Sequence, residues 1–193
     1  MARHYDEFIP VANRFGERLP EALIGQPTHL DPDFDELTYG DQGNRGKRIY
    51  SLLTSGDLLA FFAALRRADG PPRPLIYALI GLYVIEEIIP AISVPIERWS
   101  ENAHTRRVPG DGDIVVRGKP RVSGRLRRCL PIGEFRDRAY RVRKDLLDAW
   151  GELDIKDGYI HRSARLPAFK DTTKFYQWFL AQKPELVANN NPI

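Results

Sequence analysis

The stretch LIYALIGLYVIEEI, residues 75–88, constrains the fold more than any other part of the chain. Its apolar run breaks at Glu86 after eleven residues, too short for the ~20 that a membrane-spanning helix needs. β-branched and aromatic residues dominate it, which favours strand over helix. Almost every position is apolar, so the pattern predicts a strand buried on both faces, with Gly81 at a bulge. Such a strand needs partners on both edges, and the sequence offers three. SGDLLAFFAALRR (55–67) reads as a hairpin partner, joined through the turn ADGPPRP (68–74). DIVVRG (113–118) and RLRRCLPI (125–132) read as two more strands, linked by KPRVSG.

Helical periodicity appears on either side of this block. GKRIYSLL (46–53) places Ile49, Leu52 and Leu53 on one face. In residues 134–151, Phe135, Ala139, Val142, Leu146 and Trp150 recur at helical spacing, and Gly151 stands where a C′ glycine belongs. A last helix is expected over 171–182, capped by Asp171, with Phe175, Trp178 and Phe179 inward. A short strand is expected within 158–167, and the tail 188–193 is expected to fray. The opening is punctuated by Pro10, Pro20, Pro27 and Pro32 and by Gly16, Gly25, Gly40, Gly43 and Gly46, which disfavours long helices and central strands there. The sum is an α+β fold: a small, strongly curved, mostly antiparallel sheet with flanking helices. It is read as one domain over 1–193, with an irregular opening (1–45), a sheet-rich core (46–132) and a helical C-terminal part (133–187).

Composition excludes several classes. Cys129 is the only cysteine, so one chain can form neither an internal disulfide nor a thiolate metal cluster. The opening MARHYDEF has no apolar segment of the secretory type. A cytoplasmic location and no membrane association are the resulting expectations. No Walker loop, dinucleotide fingerprint or G-x-S-x-G elbow occurs. Charge is strongly partitioned: residues 1–60 hold six basic and ten acidic groups, whereas 104–144 hold thirteen basic and four acidic ones. A local excess of that size points to an anionic partner, DNA, RNA or a nucleotide, or to a solvated basic face.

Three clusters carry candidate chemistry. HLDPDFDELTYGDQG (29–43) opens with His29, Asp31 and Asp33, a set suited to acid–base work or to a hard metal ion if the chain is extended. Pro32 argues instead for a structural turn with Asp side chains on backbone N–H groups. NAHTRR (102–107) supplies Asn102, His104, Arg106 and Arg107. No second histidine lies at metal spacing from His104, so a local zinc site is not expected. The paired guanidinium groups suit phosphate, and Asn or His suits a base edge. The hairpin RGKPRVSGRLRR (117–128) adds Lys119, Arg121, Arg125 and Arg128, with Ser123 and exposed backbone N–H groups able to approach phosphate. Tyr39 and Trp99 flank these polar stretches and offer stacking faces. No metal or cofactor is assigned.

HLDPDF (29–34), TYGD (38–41), GDLLAFFAALR (56–66), YALIGLYVIEEI (77–88), NAHTRR (102–107) and SGRL (123–126), in this order, resemble the nucleotide modification associated domains, the third type in particular. The resemblance covers about 28–130 and continues more weakly to 180. It implies a link to systems that modify or process nucleic-acid bases. It also implies that His29, Asp31, Tyr39, Asp41, Asn102, His104, Arg107, Ser123 and Arg125 are family polar positions that meet in one cleft. An opening strand before the matched region is implied too, and 1–28 has no sequence suited to one. Residues 55–90 further resemble the PUA-like group (EVE, ASCH and YTH modules), which implies a partial barrel holding a base in an aromatic cleft. Three functions follow as expectations. The first is a module that binds nucleic acid or a nucleotide, a modified base among its targets. Arg106, Arg107, Lys119, Arg121, Arg125 and Arg128 would then hold phosphates, and Tyr39, Trp99, Asn102, His104 and Ser123 the base. The second is an enzyme acting on a nucleotide or base through His29, Asp31 and His104, as acid–base groups or metal ligands. The third is an interaction subunit of a defence or modification system, docking a protein through the C-terminal helix.

Overall fold

The computed structural model describes residues 4–66, 74–160 and 166–190. Residues 68–73 of the expected turn and 161–165 of the expected strand lie outside that range.

The apolar stretch is β3 (Ile76–Pro90), a fifteen-residue strand at the centre of the molecule. Tyr77, Ala78, Leu79, Leu82 and Tyr83 are all buried, so both faces are covered as the unbroken apolar run requires. β2 (Leu58–Leu65) pairs with its first half. β4 (Ile114–Gly118) pairs with its second half and β5 (Gly124–Pro131) with residues 78–82. The β2 register skips Ile80, so the bulge falls beside Gly81 as expected. Every pairing is antiparallel, and the main sheet runs β1–β4–β3–β5–β8 with β2 also on β3, where β1 is Thr38–Asp41 and β8 is Leu186–Val187. The sheet is open, with β1 and β8 as its ends. The fold is α+β, without barrel closure.

Among the described residues the α-helices are α1 (Ile9–Arg14), α2 (Gly43–Leu52), α3 (Lys144–Trp150) and α4 (Thr172–Ala181). Among residues 4–27 no opening strand is seen; short 3-10 turns and α1 stand there, with one bridge, His4 to Pro27. The helix expected over 134–151 is half wrong. Residues 133–142 form a hairpin, β6 (Gly133–Arg136) with β7 (Ala139–Val142), and only 144–150 is helical. Asp137 and Arg138 both take positive φ (50° and 62°), the backbone of a two-residue hairpin turn, without the glycine or asparagine that usually marks it. Gly151 does end α3 in the left-handed region, at φ 70°.

α3 and α4 cover the main core. Trp150 meets Phe169, Phe175 and Trp178 edge-on, and Phe175 and Phe179 are fully buried beside Leu82, Leu126 and Val142. Asp171 caps α4 by accepting from the Lys174 N–H at 3.0 Å. Phe175 and Phe179 are therefore spent inside the core, while Tyr176 and Trp178 are partly exposed and Leu180 is exposed. The C-terminal tail is tied down through residue 190: Asn190 Nδ2 donates to Asp33 at 2.9 Å and to Asp35 at 2.8 Å. No helix among the described residues is long and apolar enough to cross a membrane.

Candidate functional site

The edge strand β1 organises the site. An edge strand leaves alternate N–H groups without a ladder partner. Gly40 donates its own to Asp31 Oδ1 at 2.9 Å, fixing the loop that carries His29 and Asp31 against the sheet. Phe34 anchors that loop further on. It packs edge-on to Phe61 and Tyr83, over the notch left by Gly81, where a Cβ would lie 2.5 Å from the Phe34 ring. Tyr83 Oη donates to the Asp33 carbonyl at 2.9 Å. Burial, with Asp33 and Asp31 nearby, pushes the Tyr83 phenol well above its ordinary pKa and keeps it neutral as a donor.

Asp33 departs from the expected extended H-x-D-x-D geometry. Its Oδ1 accepts the Asp35 N–H at 3.1 Å, and its backbone pairs with Thr38 at 2.8 and 3.0 Å. Asp33 is thus the turn-former and Asp31 the site residue; the chain bends between them at Pro32.

The second half of the site comes from the 3-10 segment Ile96–Glu101 and the turn after it. Arg117 on β4 is buried and holds Glu101 at 2.6 Å, with Glu87 as its other partner. Thr38 Oγ1 donates to the Glu101 carbonyl at 2.7 Å. These contacts deliver Asn102 to the back of the site, where it is fully buried. Asn102 Nδ2 donates to Thr38 Oγ1 (3.1 Å) and Asp31 Oδ1 (3.4 Å), and its Oδ1 accepts the His104 N–H (2.9 Å). With each polar atom engaged inside the protein, Asn102 has no free edge for reading a base. It positions its neighbours.

His104 is the hub. Its Nδ1 lies 2.7 Å from Asp113 Oδ1 and its Nε2 lies 3.2 Å from Asp31 Oδ2. His29 Nε2 reaches the same Asp31 oxygen at 2.5 Å, and the two imidazoles meet edge-on with centroids 5.1 Å apart. Burial works against the His104 imidazolium, but hydrogen bonds and charge from Asp31 and Asp113 outweigh it and hold its pKa above the ordinary value. Burial likewise pushes Asp113 up, yet hydrogen bonds from His104, the Gly110 N–H and Arg107 hold it below the usual carboxylate range. Arg107 Nη2 bonds Asp113 Oδ1 and Gln42 Oε1, each at 2.9 Å. His104 is nearly inaccessible, whereas the His29 side chain is 51% exposed, so the cluster is open on the His29 side. One ligand atom from each of His29, Asp31 and His104 lies within 4.8 Å of the others. The second histidine missing from the neighbourhood of His104 in sequence stands beside it in space.

A second layer lines the same edge. Tyr39 donates to Asp41 at 2.5 Å and packs on Phe61. Burial first, then the Asp41 contact, raises its pKa well above the ordinary value. Arg45, half exposed on α2, pairs with Asp41 at 2.9 Å. Trp99 donates to the Val94 carbonyl at 2.9 Å, and its indole is partly exposed.

Several of the remaining expected positions are engaged in holding the fold together. Ser123 is buried, its Oγ shared between the Val84 N–H (3.0 Å) and carbonyl (3.2 Å), which ties the hairpin to β3. Arg125 holds the Asn189 carbonyl and Oδ1, each at 3.0 Å. Arg106 donates to the Ser100 carbonyl at 3.1 Å and the Thr28 carbonyl at 3.4 Å, and lies 3.7 Å from Asp33. Half of the six expected phosphate ligands are thus engaged in holding loops. Lys119, Arg121 and Arg128 form no ion pair among the described residues. Four site residues escape a reading from sequence: Thr38, Gly40, Arg45 and Asp113. Gly40 is visible only inside TYGD, and Asp113 only as the end of a GDGD turn.

The family model for nucleotide modification associated domain 3 matches residues 5–180. No curated protein and no solved structure matches the chain. The match runs through both halves of the site and most of the fold that supports them, and the chain belongs to the nucleotide modification associated domain 3 family.

Proposed function

We propose that this domain performs chemistry on a nucleotide or a nucleic-acid base, with His29, Asp31 and His104 at the reacting atoms. One observation carries the reading. Two loops about 70 residues apart bring two imidazoles onto one carboxylate oxygen, and buried groups hold them there. A binder that relies on charge needs no such construction. Groups held in one geometry by satisfied neighbours are what acid–base catalysis requires. The family description, nucleotide modification, supplies the substrate class. Arg45 and Arg107, both partly exposed at the rim, are suited to the phosphates.

The test is to incubate the full chain with nucleotides and with single- and double-stranded oligonucleotides and to read mass changes. Turnover that disappears in His29→Ala and in Asp31→Ala, with circular dichroism unchanged, supports the reading. Turnover that survives His29→Ala and His104→Ala together rejects it.

Binding without chemistry is the second reading, and Lys119, Arg121 and Arg128, which form no ion pair among the described residues, favour it. If they hold phosphates, log affinity should fall with log salt, with a slope near about −0.7 to −0.9 per phosphate contacted. A base held in a PUA-like manner would then stack on Trp99. Salt-independent binding would sink that account.

A further inference from the structure

We infer that His29 Nε2, Asp31 Oδ2 and His104 Nε2 form a three-ligand site for a divalent first-row transition-metal ion, with its remaining coordination positions open to solvent. The first ground is spacing. Asp31 Oδ2 lies 2.5 Å from His29 Nε2 and 3.2 Å from His104 Nε2. Around an ion with bonds of about 2.0–2.2 Å, neighbouring ligand atoms sit roughly 3–3.5 Å apart. His29, whose side chain is half exposed, needs to retreat by less than an ångström; His104 already stands at the right separation.

The second ground is independent of spacing and concerns the far side of His104 and of Asp31. A metal-binding histidine offers one nitrogen to the ion and donates its other N–H to a carboxylate or carbonyl. His104 Nδ1 faces Asp113 Oδ1 at 2.7 Å, so the neutral ring that carries its proton on Nδ1 presents the Nε2 lone pair toward Asp31. Asp31 shows the same division. Its Oδ1 is taken by the Gly40 N–H and Asn102, while Oδ2 points at both imidazoles. Arg107, bonded to the same Asp113 oxygen, offsets the second carboxylate. The outer groups are arranged so that the three inner atoms are the ones left to share a ligand.

The donor set narrows the ion. Two imidazole nitrogens and one carboxylate oxygen suit Zn²⁺, Mn²⁺, Fe²⁺ or Co²⁺, and fit poorly with Mg²⁺ and Ca²⁺, which take oxygen ligands. Three protein ligands with an open side is the pattern of catalytic sites; structural zinc closes its fourth position. The open side is the half-exposed His29. This inference rests on the proposed chemistry only for what the ion would do; its binding is measured separately.

The experiment uses the full chain, without a histidine tag and stripped by chelator. Zn²⁺, Mn²⁺ and Co²⁺ are titrated singly by calorimetry, with Mg²⁺ as control and the Co²⁺ visible spectrum as a report on geometry. One transition-metal ion per chain is expected, with Mg²⁺ bound far more weakly. Asp113→Asn should weaken affinity by about 10- to 100-fold while keeping the stoichiometry. His29→Ala, which removes a half-exposed side chain, should weaken it further. Binding that His29→Ala and Asp31→Ala leave unchanged, or no stoichiometric binding, overturns the site. That would leave a hydrogen-bonded His–Asp–His relay. Stoichiometric binding without turnover leaves this site standing and counts against the proposed chemistry. Turnover by metal-free protein that binds no ion does the reverse.

Discussion

Gly40→Ala is the sharpest perturbation available to the site. A Cβ at Gly40 would lie 2.1 Å from His104 Cδ2, 2.5 Å from Asn102 Oδ1 and 2.8 Å from His104 Cγ, where ordinary contact begins near 3.4 Å. The ring must therefore retreat by more than an ångström. It has nowhere to go, because Asp113 holds one nitrogen at 2.7 Å and Asp31 faces the other at 3.2 Å. Overpacking costs about 1–3 kcal/mol, and losing one charge-assisted hydrogen bond adds ~1.5–3 kcal/mol. A stiffer unfolded chain returns only ~0.4–1 kcal/mol. The expected net loss is about 1.5–5.5 kcal/mol, read from urea denaturation followed by tryptophan fluorescence. The His104 imidazole resonances should shift in the same variant. Gly110→Ala is the matched control: its added carbon meets Asp113 Oδ2 at 3.4 Å, so a change within ~0.5 kcal/mol is expected. If Gly40→Ala proves as stable as the control and leaves the His104 resonances in place, the ring is not pressed against β1, and the placement of His104 between Asp31 and Asp113 is wrong.

Three further outcomes are expected. Arg117→Met leaves Glu101 buried with only the surface Arg98 (2.8 Å) as partner and should cost about 3–5 kcal/mol. Adding Glu101→Leu should recover much of that loss, and strictly additive effects in the double-mutant cycle would refute the pairing. Asp157 is held below the usual carboxylate range, chiefly by its hydrogen bond to Arg136. A depressed folded-state pKa gives stability that is present above the unfolded value, near about 3.9, and lost as pH falls through the folded one. Asp157→Asn should therefore flatten the decline in urea midpoint below about pH 4, and a decline parallel to wild type would exclude the contribution. Asn190→Ala removes the acceptor of the Phe34 N–H at 3.0 Å, so protection of that amide against hydrogen exchange should fall. Unchanged protection would mean that the tail does not brace the loop.

The sequence exposes those parts of the fold in which burial speaks through residue type. β3 is legible because an apolar run too short for a membrane and rich in β-branched residues can be satisfied in few ways. α4 is legible from its Asp171 cap and aromatic spacing. The hairpin at 133–142 is not, because Phe135, Ala139 and Val142 fit a helical repeat by coincidence while Phe135 in fact stands exposed. Its turn residues, Asp137 and Arg138, carry no compositional mark. β8 spans two residues, and the order of the tail depends on Asn190 finding Asp33 and Asp35, some 155 residues away in the chain. The site is half legible: His29, Asp31, Asn102 and His104 stand out as polar density. Asp113 does not, since an aspartate in a GDGD turn reads as turn chemistry until a fold sets an imidazole beside it.

What joins the halves is the four-residue pairing of β1 with β4, Thr38 opposite Arg117 and Gly40 opposite Val115. Side chains alternate along a strand. Thr38 and Gly40 therefore face Asn102 and His104, while Tyr39 turns to Phe61. Each residue suits its side: a hydroxyl that donates to the Glu101 carbonyl, a bare Cα that admits the His104 ring, and a phenol that closes the apolar layer. A register slip of one residue would exchange the faces and drive Tyr39 into the imidazole. The strand is too short to resist this by its ladder alone. Its register is instead specified by the site itself, through Gly40 to Asp31 and Thr38 to Glu101. Polar order at the site and pairing at this sheet edge are then one cooperative unit, so damage to either should appear in both.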